Sequence, residues 1–378
     1  MAGKAAGKTD SYQEKYSREQ DIRNTRKMRE ILEELPRFCR QYFRGIEDAT
    51  SARTRLAYAY DLRVFFEFLQ KENPVLKGKP IRDYQVRILE QVGKEDIEEF
   101  LEYLSFYEKD GQVFTNDARG KARKLSAVRS MFKYFYTSEI LERDVTALVP
   151  LPRLHEKPII RMDSEEVSRM LNTADSGAFL TKNQQRFHGK TRLRDIAILT
   201  LLLGTGIRVS ECVGLDIEDI DFKDKGLRVH RKGGYESIVY FGDEVEAALK
   251  DYLDQRRQIL PLEGHEHALF LSLQNRRITV RSVENLVKKY AGLSVALKKI
   301  TPHKLRSTYG TSLYRATGDI YLVADVLGHK DVNTTRKHYA AIEEDRRRSA
   351  RNIVRLRSDD NIPDDSIENS EDGSTEEN

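Results

Sequence analysis

Tryptophan is absent from this chain, and cysteine appears only at positions 39 and 212. These two lie far apart and form no CxxC pair, so neither a disulfide framework nor a cysteine-based zinc site is expected. Both read as small apolar residues in a reducing cytoplasm. Long hydrophobic runs are missing too. The longest, residues 196–203, is broken by Thr200 and falls far short of the ~20 residues that cross a bilayer. The opening stretch MAGKAAGKTD has no hydrophobic segment of the secretory kind. A cytoplasmic protein with no membrane partner is therefore expected. A phosphate-binding GxxxxGKS/T loop is also absent, which removes the usual ATP site. No cluster of carboxylates stands out to hold Mg²⁺. Proline is scarce, yet Pro150, Pro152 and Pro158 crowd into residues 149–160. Proline removes amide donors and disfavours helix in the preceding residue, so this stretch reads as a linker.

What the chain has in abundance is charge. Lys and Arg number 65 against 61 Asp and Glu. The near balance hides an asymmetry: residues 358–378 hold nine acidic side chains and no basic ones. Residues 1–357 are left with 65 basic against 52 acidic groups, a net +13. A basic body suits a polyanionic partner, although the same charge also serves plain solubility. The tail after Ser358 is rich in Asp, Glu, Ser and Asn and is expected to be disordered.

Apolar spacing organises the rest. Residues 1–25 are polar and are expected to be a flexible N-terminus. Residues 26–148 show helical periodicity. Ile31, Leu35 and Phe38 begin one stripe, and Leu62, Phe65, Phe66 and Leu69 fall at i, i+3, i+4 and i+7. Ile97, Phe100, Leu101 and Leu104 repeat that spacing, and Leu125, Val128, Phe132 and Phe135 form another stripe. Such one-sided stripes predict amphipathic helices packed as a bundle. Dense basic residues lie off the stripes: Arg53, Arg55 and Arg63, then Arg119, Lys121, Arg123, Lys124, Arg129 and Lys133. They are either a solvated face or contacts to a phosphate backbone.

Beyond the linker, Asp163 or Ser164 followed by Glu165 and Glu166 reads as a helix start. Residues 175–192 read as an irregular polar loop. Residues 193–203 are apolar nearly all round, which predicts a buried helix stopping at Gly204 and Gly206. Helix restarts over 208–215. Between Asp219 and Phe241, β-type residues flank Lys232-Gly233-Gly234, a hairpin signal. Helices are expected again near 243–260, 279–291, 303–316, 319–327 and 331–349. The fold class is mainly α with a small antiparallel β-sheet.

One constellation carries chemistry. Arg208 follows a glycine-containing turn, Lys232 sits at the hairpin tip, and His303 and Arg306 share a helix face at i, i+3. His329 follows Gly328, and Tyr339 comes ten residues later. A phosphodiester repels nucleophiles with its own negative charge. Guanidinium forks on Arg208 and Arg306 offset that charge as it grows. Glu211, three residues after Arg208, can hold it in place. Lys232 can protonate a departing oxygen, and His329 can donate to a phosphoryl oxygen. Tyr339 can attack only beside a base and cations, since a free phenol has a pKa of about 10. A phosphotyrosyl diester keeps its bond energy for rejoining, so neither ATP nor a metal is needed. Taken singly, each residue has a plainer reading: a surface lysine, a structural histidine, one tyrosine among 18. The three histidines His303, His329 and His338 match no zinc-ligand spacing.

The run TGIRVSE, the hairpin lysine, HKLRST, LGHKDVNTT and HYA, in this order, resembles the tyrosine recombinase (phage integrase) family over about residues 160–350. The resemblance extends less specifically to TRLAYAYDLRVFFEFL. One departure is Ser307, where many members carry a second histidine; the six catalytic positions are filled. The resemblance implies a two-domain clamp around double-stranded DNA. A helical core-binding domain would span 26–148, and an α+β catalytic domain with a C-terminal interaction helix would span 161–357. It implies that Tyr339 forms a 3′-phosphotyrosyl bond while Arg208, Arg306 and His329 hold the non-bridging oxygens. Lys232 would protonate the leaving 5′ oxygen and His303 would assist at the tyrosine. It further implies a homotetramer on two DNA sites, coupled through residues 342–357, with exchange through a Holliday junction. No cofactor or metal is implied. A partner recombinase or accessory factor stays open. The compact layout and the polar 175–192 stretch look similar to Xer-type enzymes, which resolve chromosome dimers. A mobile-element integrase, a type IB topoisomerase-like nicking-closing enzyme and a non-catalytic DNA-binding protein are the alternatives.

Overall fold

The computed structural model describes residues 12–154, 160–231, 235–295, 298–329 and 332. The chain divides into two compact units, Met1–Pro158 and Ile159–Asn378.

The first unit runs α1 (Tyr12–Leu32), α2 (Cys39–Gly45), α3 (Ala52–Glu72), α4 (Lys94–Tyr103), β1 (Phe106–Lys109), β2 (Gln112–Thr115) and α5 (Ala118–Thr137). Side-chain caps start the two long helices that follow α2. The Ser51 hydroxyl accepts the Thr54 amide at 3.2 Å, and the Asp117 carboxylate accepts that of Gly120 at 2.9 Å. Each satisfies an amide that a helix start leaves orphaned. The apolar stripes then bury as their spacing requires. Leu62, Phe65, Phe66 and Leu69 of α3 meet Ile97 and Phe100 of α4 and the Leu125, Val128, Phe132 and Phe135 stripe of α5. Edge-to-face rings tie them, Phe65 to Phe100 at 5.1 Å and Phe38 to Phe135 at 5.5 Å. Cys39 sits in this core, and Cys212 in that of the second unit. Burial pushes both thiols above their ordinary range.

Three expectations are corrected here. Residues 12–25, expected to be flexible, are helix. They are rich in Glu, Gln, Arg and Lys, which favour helix without an apolar stripe, and α1 goes on to bury Met28, Ile31 and Leu32. Second, the unit is not purely helical. Asp110 (φ 52°) and Gly111 (φ 72°) turn β1 antiparallel onto β2, the paired positive φ of a tight hairpin turn. Third, the basic residues are not one class. Arg55 is buried and donates to the Glu47 and Thr50 carbonyls at 2.8 and 2.6 Å. Lys124 is buried against Asn116 at 2.8 Å, and Arg129 donates to the Thr146 and Val149 carbonyls. Arg53, Arg119, Arg123 and Lys133 are the exposed ones.

The second unit runs α6 (Ser164–Ser176), α7 (Lys182–Thr205), α8 (Val209–Gly214), β3 (Ile220–Asp221), β4 (Gly226–His230), β5 (Glu236–Tyr240), α9 (Asp243–Arg256), α10 (Val280–Ser294), α11 (Pro302–Thr317) and α12 (Ile320–Leu327). Asp163 caps α6 and exchanges bonds with Glu166, a reciprocal pair that satisfies two amides. The second half of α7 is the core: Ala197, Ile198, Leu199, Leu201 and Leu202 are buried. Its first half corrects the loop expected at 175–192. The Thr181 hydroxyl and Gln184 amide group form another reciprocal cap, and helix begins at Lys182. The polar residues of that half face solvent, so no apolar period announces them. The antiparallel sheet has the order β3-β4-β5, with Leu227 opposite Val239 and His230 opposite Glu236. No helix among the described residues is long and apolar enough to cross a membrane. Lys232, Tyr339, all but Val332 of the helix expected at 331–349, the 342–357 segment and the acidic tail lie outside the described residues.

Candidate active site

Three arginines from separate parts of the second unit meet at one turn. The first is held by its own helix start. Gly206, at φ 63°, ends α7, and a Cβ there would lie 2.4 Å from Tyr309 Cδ1. Only glycine lets α11 pass so close. Two residues on, the Arg208 backbone amide donates to Glu211 Oε2 and its Nη1 donates to Oε1, both at 2.7 Å. Glu211 is buried. Its carboxylate thus fixes main chain and side chain of Arg208 together, which the i, i+3 spacing anticipates. Arg208 Nη2 reaches across to the Gly328 carbonyl at 3.2 Å.

The second is Arg306. Proline at the first position of α11 starts that helix without losing a bond. Arg306 falls one turn later and is 5% exposed. It donates to the Gly206 carbonyl at 2.6 Å and also to the Leu327 carbonyl. His303, on the preceding turn, is exposed. The third is Arg231, just past β4, which donates to the Leu327 and Val326 carbonyls at 3.3 and 3.0 Å. It also lies 3.5 Å from Glu211 Oε2.

All three reach carbonyls at the C-terminal end of α12, from Val326 to Gly328, and Arg306 reaches that of Gly206 as well. Gly328, at φ 61°, closes that helix, and the His329 amide bonds back to Ala324 at 2.9 Å. These carbonyls form the negative end of the helix dipole, so guanidiniums gather there at little cost. Three guanidiniums against the Glu211 carboxylate leave surplus positive charge beside the backbone of His329. The planar donor forks of Arg208 and Arg306 can hold a tetrahedral anion there. Arg208, Arg306 and the turn bearing His329 are therefore brought together, with His303 one turn from Arg306. Among the described residues no group of three or more His, Cys, Asp or Glu could hold a metal ion.

Arg231 was not foreseen. Its signal was strand alternation: Leu227 and Val229 face inward, and residue 231 continues that face. An arginine at an inward position calls for internal acceptors.

Residues 161–346 match the phage integrase family. The chain is 33% identical over 333 residues to the tyrosine recombinase XerC of Caldanaerobacter subterraneus subsp. tengcongensis, covering 85% of this chain and 86% of that protein. The chain belongs to the tyrosine recombinase family. A second member, the tyrosine recombinase XerS of Streptococcus agalactiae serotype III, is 31% identical over 339 residues, 82% of this chain and 93% of its own. In fold, this recombinase is similar to the XerH site-specific recombinase bound to palindromic difH substrate. That likeness has a TM-score of 0.60 at 19% identity and covers 79% of this chain and 80% of that one. It is equally similar to the Tn1549 transposon integrase in complex with transposon right end DNA (TM-score 0.60, 20% identity, 84% and 99% covered). As a tyrosine recombinase the protein is an enzyme of site-specific recombination, and the topoisomerase-like and non-catalytic readings are not favoured.

Proposed function

We propose that the protein binds double-stranded DNA and cleaves and rejoins it with the six residues Arg208, Lys232, His303, Arg306, His329 and Tyr339. The convergence of Arg208 and Arg306 on the turn before His329, a turn that Arg231 ties to the end of β4, carries the reading, because it sets two fixed guanidiniums beside that histidine. In this scheme the Tyr339 phenolic oxygen bonds to the scissile phosphorus. The bond from phosphorus to the 5′ oxygen breaks, and that oxygen takes a proton from Lys232. The phenol's proton passes to His303. Arg208, Arg306 and His329 hold the non-bridging oxygens, where charge builds up in the transition state. The 3′-phosphotyrosyl bond is then attacked by a 5′ hydroxyl of the partner duplex, which yields a Holliday junction and, after a second round, recombinant strands.

The role is that of a Xer-type enzyme acting as a homotetramer on two sites, with residues 342–357 joining neighbouring subunits. Several relatives that share most of its length are Xer tyrosine recombinases, which supports that role and, with it, a part in chromosome partition. An accessory or partner recombinase fits the same scheme. The test uses the full-length protein and a duplex selected from a random-sequence pool by binding. A nick beside the selected site lets a short fragment diffuse away and traps cleavage. A covalent adduct that survives denaturation and is lost in Tyr339→Phe is the expected result. An adduct that persists in Tyr339→Phe would assign the nucleophile elsewhere. Sedimentation of the complex at two duplexes per four chains tests the assembly.

A further inference from the structure

We propose that Arg231 is a positioning residue for the leaving-group acid Lys232: it staples the end of β4 to the C-terminal turn of α12. The inference rests on the reading of Lys232 given above. Arg231 is 5% exposed, and each end of its fork is tied to a different carbonyl of one helix end, Leu327 and Val326. Its backbone amide closes the hairpin on the Tyr235 carbonyl at 2.9 Å. Its guanidinium fills the space beside Gly328, where a Cβ would lie 2.9 Å from Cζ. Lys232 follows by a single peptide bond.

Stability alone does not call for this residue. Arg231 lies on the inward face with Leu227 and Val229, where an apolar side chain would pack. Its buried Nε finds no hydrogen-bond partner among the described residues, an unfavourable state for a donor. The gain is geometric. The carbonyls it holds immediately precede Gly328, whose own carbonyl takes Arg208, and Leu327 is shared with Arg306. Glu211 contacts both Arg208 and Arg231. One staple thus ties the end of β4, one peptide bond before Lys232, to the same turn that holds Arg208 and Arg306. Reacting groups displaced by about 1 Å can lose on the order of 100-fold in rate, so the staple acts on chemistry through Lys232.

The experiment compares two nicked duplexes of the selected site, one natural and one with sulfur in place of the bridging 5′ oxygen. A thiolate leaves without being protonated, since a thiol has a pKa of about 8.5. Cleavage of the sulfur duplex therefore needs no acid. Arg231→Ala is expected to cleave the natural duplex about 100-fold more slowly. It should cleave the sulfur duplex near the rate of the unmodified protein and bind both duplexes with unchanged affinity. Arg231→Lys, which keeps charge but not a planar fork, should recover part of the natural rate. Lys232→Ala is the reference and should show the same rescue. If Lys232→Ala is not rescued by sulfur, the acid role of Lys232 is wrong. If it is rescued while Arg231→Ala is slow on both duplexes, whether by misfolding or by loss of phosphate binding, the positioning role is wrong and the acid role stands. Unchanged cleavage of the natural duplex by Arg231→Ala also overturns the proposal.

Discussion

Arg208 and Arg306 are proposed to do the same work on a phosphate, yet their surroundings differ. Arg208 is half-buried and makes one long-range bond, to Gly328. Arg306 is buried and satisfies two carbonyls from segments far apart in the chain, Gly206 and Leu327. Truncating either to alanine should cost about 2.7–4 kcal/mol of transition-state stabilisation, the range for a deleted oxyanion donor. Arg306→Ala should also cost more stability than Arg208→Ala: the Gly206 carbonyl lies in a buried turn and would lose its partner, whereas the buried Glu211 carboxylate left by Arg208→Ala keeps the residue-208 amide and Arg231. An unsatisfied buried group costs roughly 1–3 kcal/mol. Thermal melting measured beside covalent-adduct formation separates the two. Similar melting points for both variants would show that Arg306 does not brace the turn. Arg231 was missed at this scale for a simple reason: beside the lysine at the hairpin tip it reads as one more surface charge, and only the inward parity of Leu227 and Val229 marks it as different.

Elements were legible wherever burial is one-sided. The stripe Leu62, Phe65, Phe66 and Leu69 is buried on α3, and Asp163, one of the two residues ahead of Glu165 and Glu166 that could start a helix, caps α6. Elements escaped where burial leaves no period. The first half of α7 is solvated, so its residues read as loop. The β1–β2 hairpin is short and largely exposed, although Asp110-Gly111 carried the turn signal. Two glycines of α7 test this account. Gly189 is exposed, with nothing within 4 Å of where a Cβ would be. Within a helix, Gly189→Ala should stabilise the protein by about 0.5–1 kcal/mol; in a loop it would gain nothing of the kind. Gly206→Ala should do the reverse. Its left-handed backbone alone costs roughly 1–2 kcal/mol with a Cβ. The new methyl also meets the Tyr309 ring, so cleavage should fall along with stability. Denaturant melts of both variants read the two signs. Stabilisation by both would mean that the turn before Arg208 tolerates a side chain.

At the scale of the whole molecule, the two units hold separate cores, one from Met28 to Val149 and one from Met162 to Leu305. The linker prolines made that division visible in sequence because they interrupt helix between two apolar patterns. Charge distribution is the property neither core explains. The body carries a net +13, and the last 21 residues bring the chain to +4. If these acidic residues reach the DNA-binding surface, they act as a tethered competitor for it. Removing residues 358–378 should then strengthen binding to a random-sequence duplex and steepen the fall of affinity with salt. Each phosphate contact freed from competition adds about 0.9 to the slope of log affinity against log salt. The difference should be largest near 10 mM salt, where the screening length is about 30 Å, and nearly vanish at 1 M, where it is about 3 Å. Fluorescence anisotropy of both proteins across that range makes the comparison. Equal affinities at low salt would mean that the tail stays clear of the surface that binds DNA, and that the charge asymmetry has no part in site search.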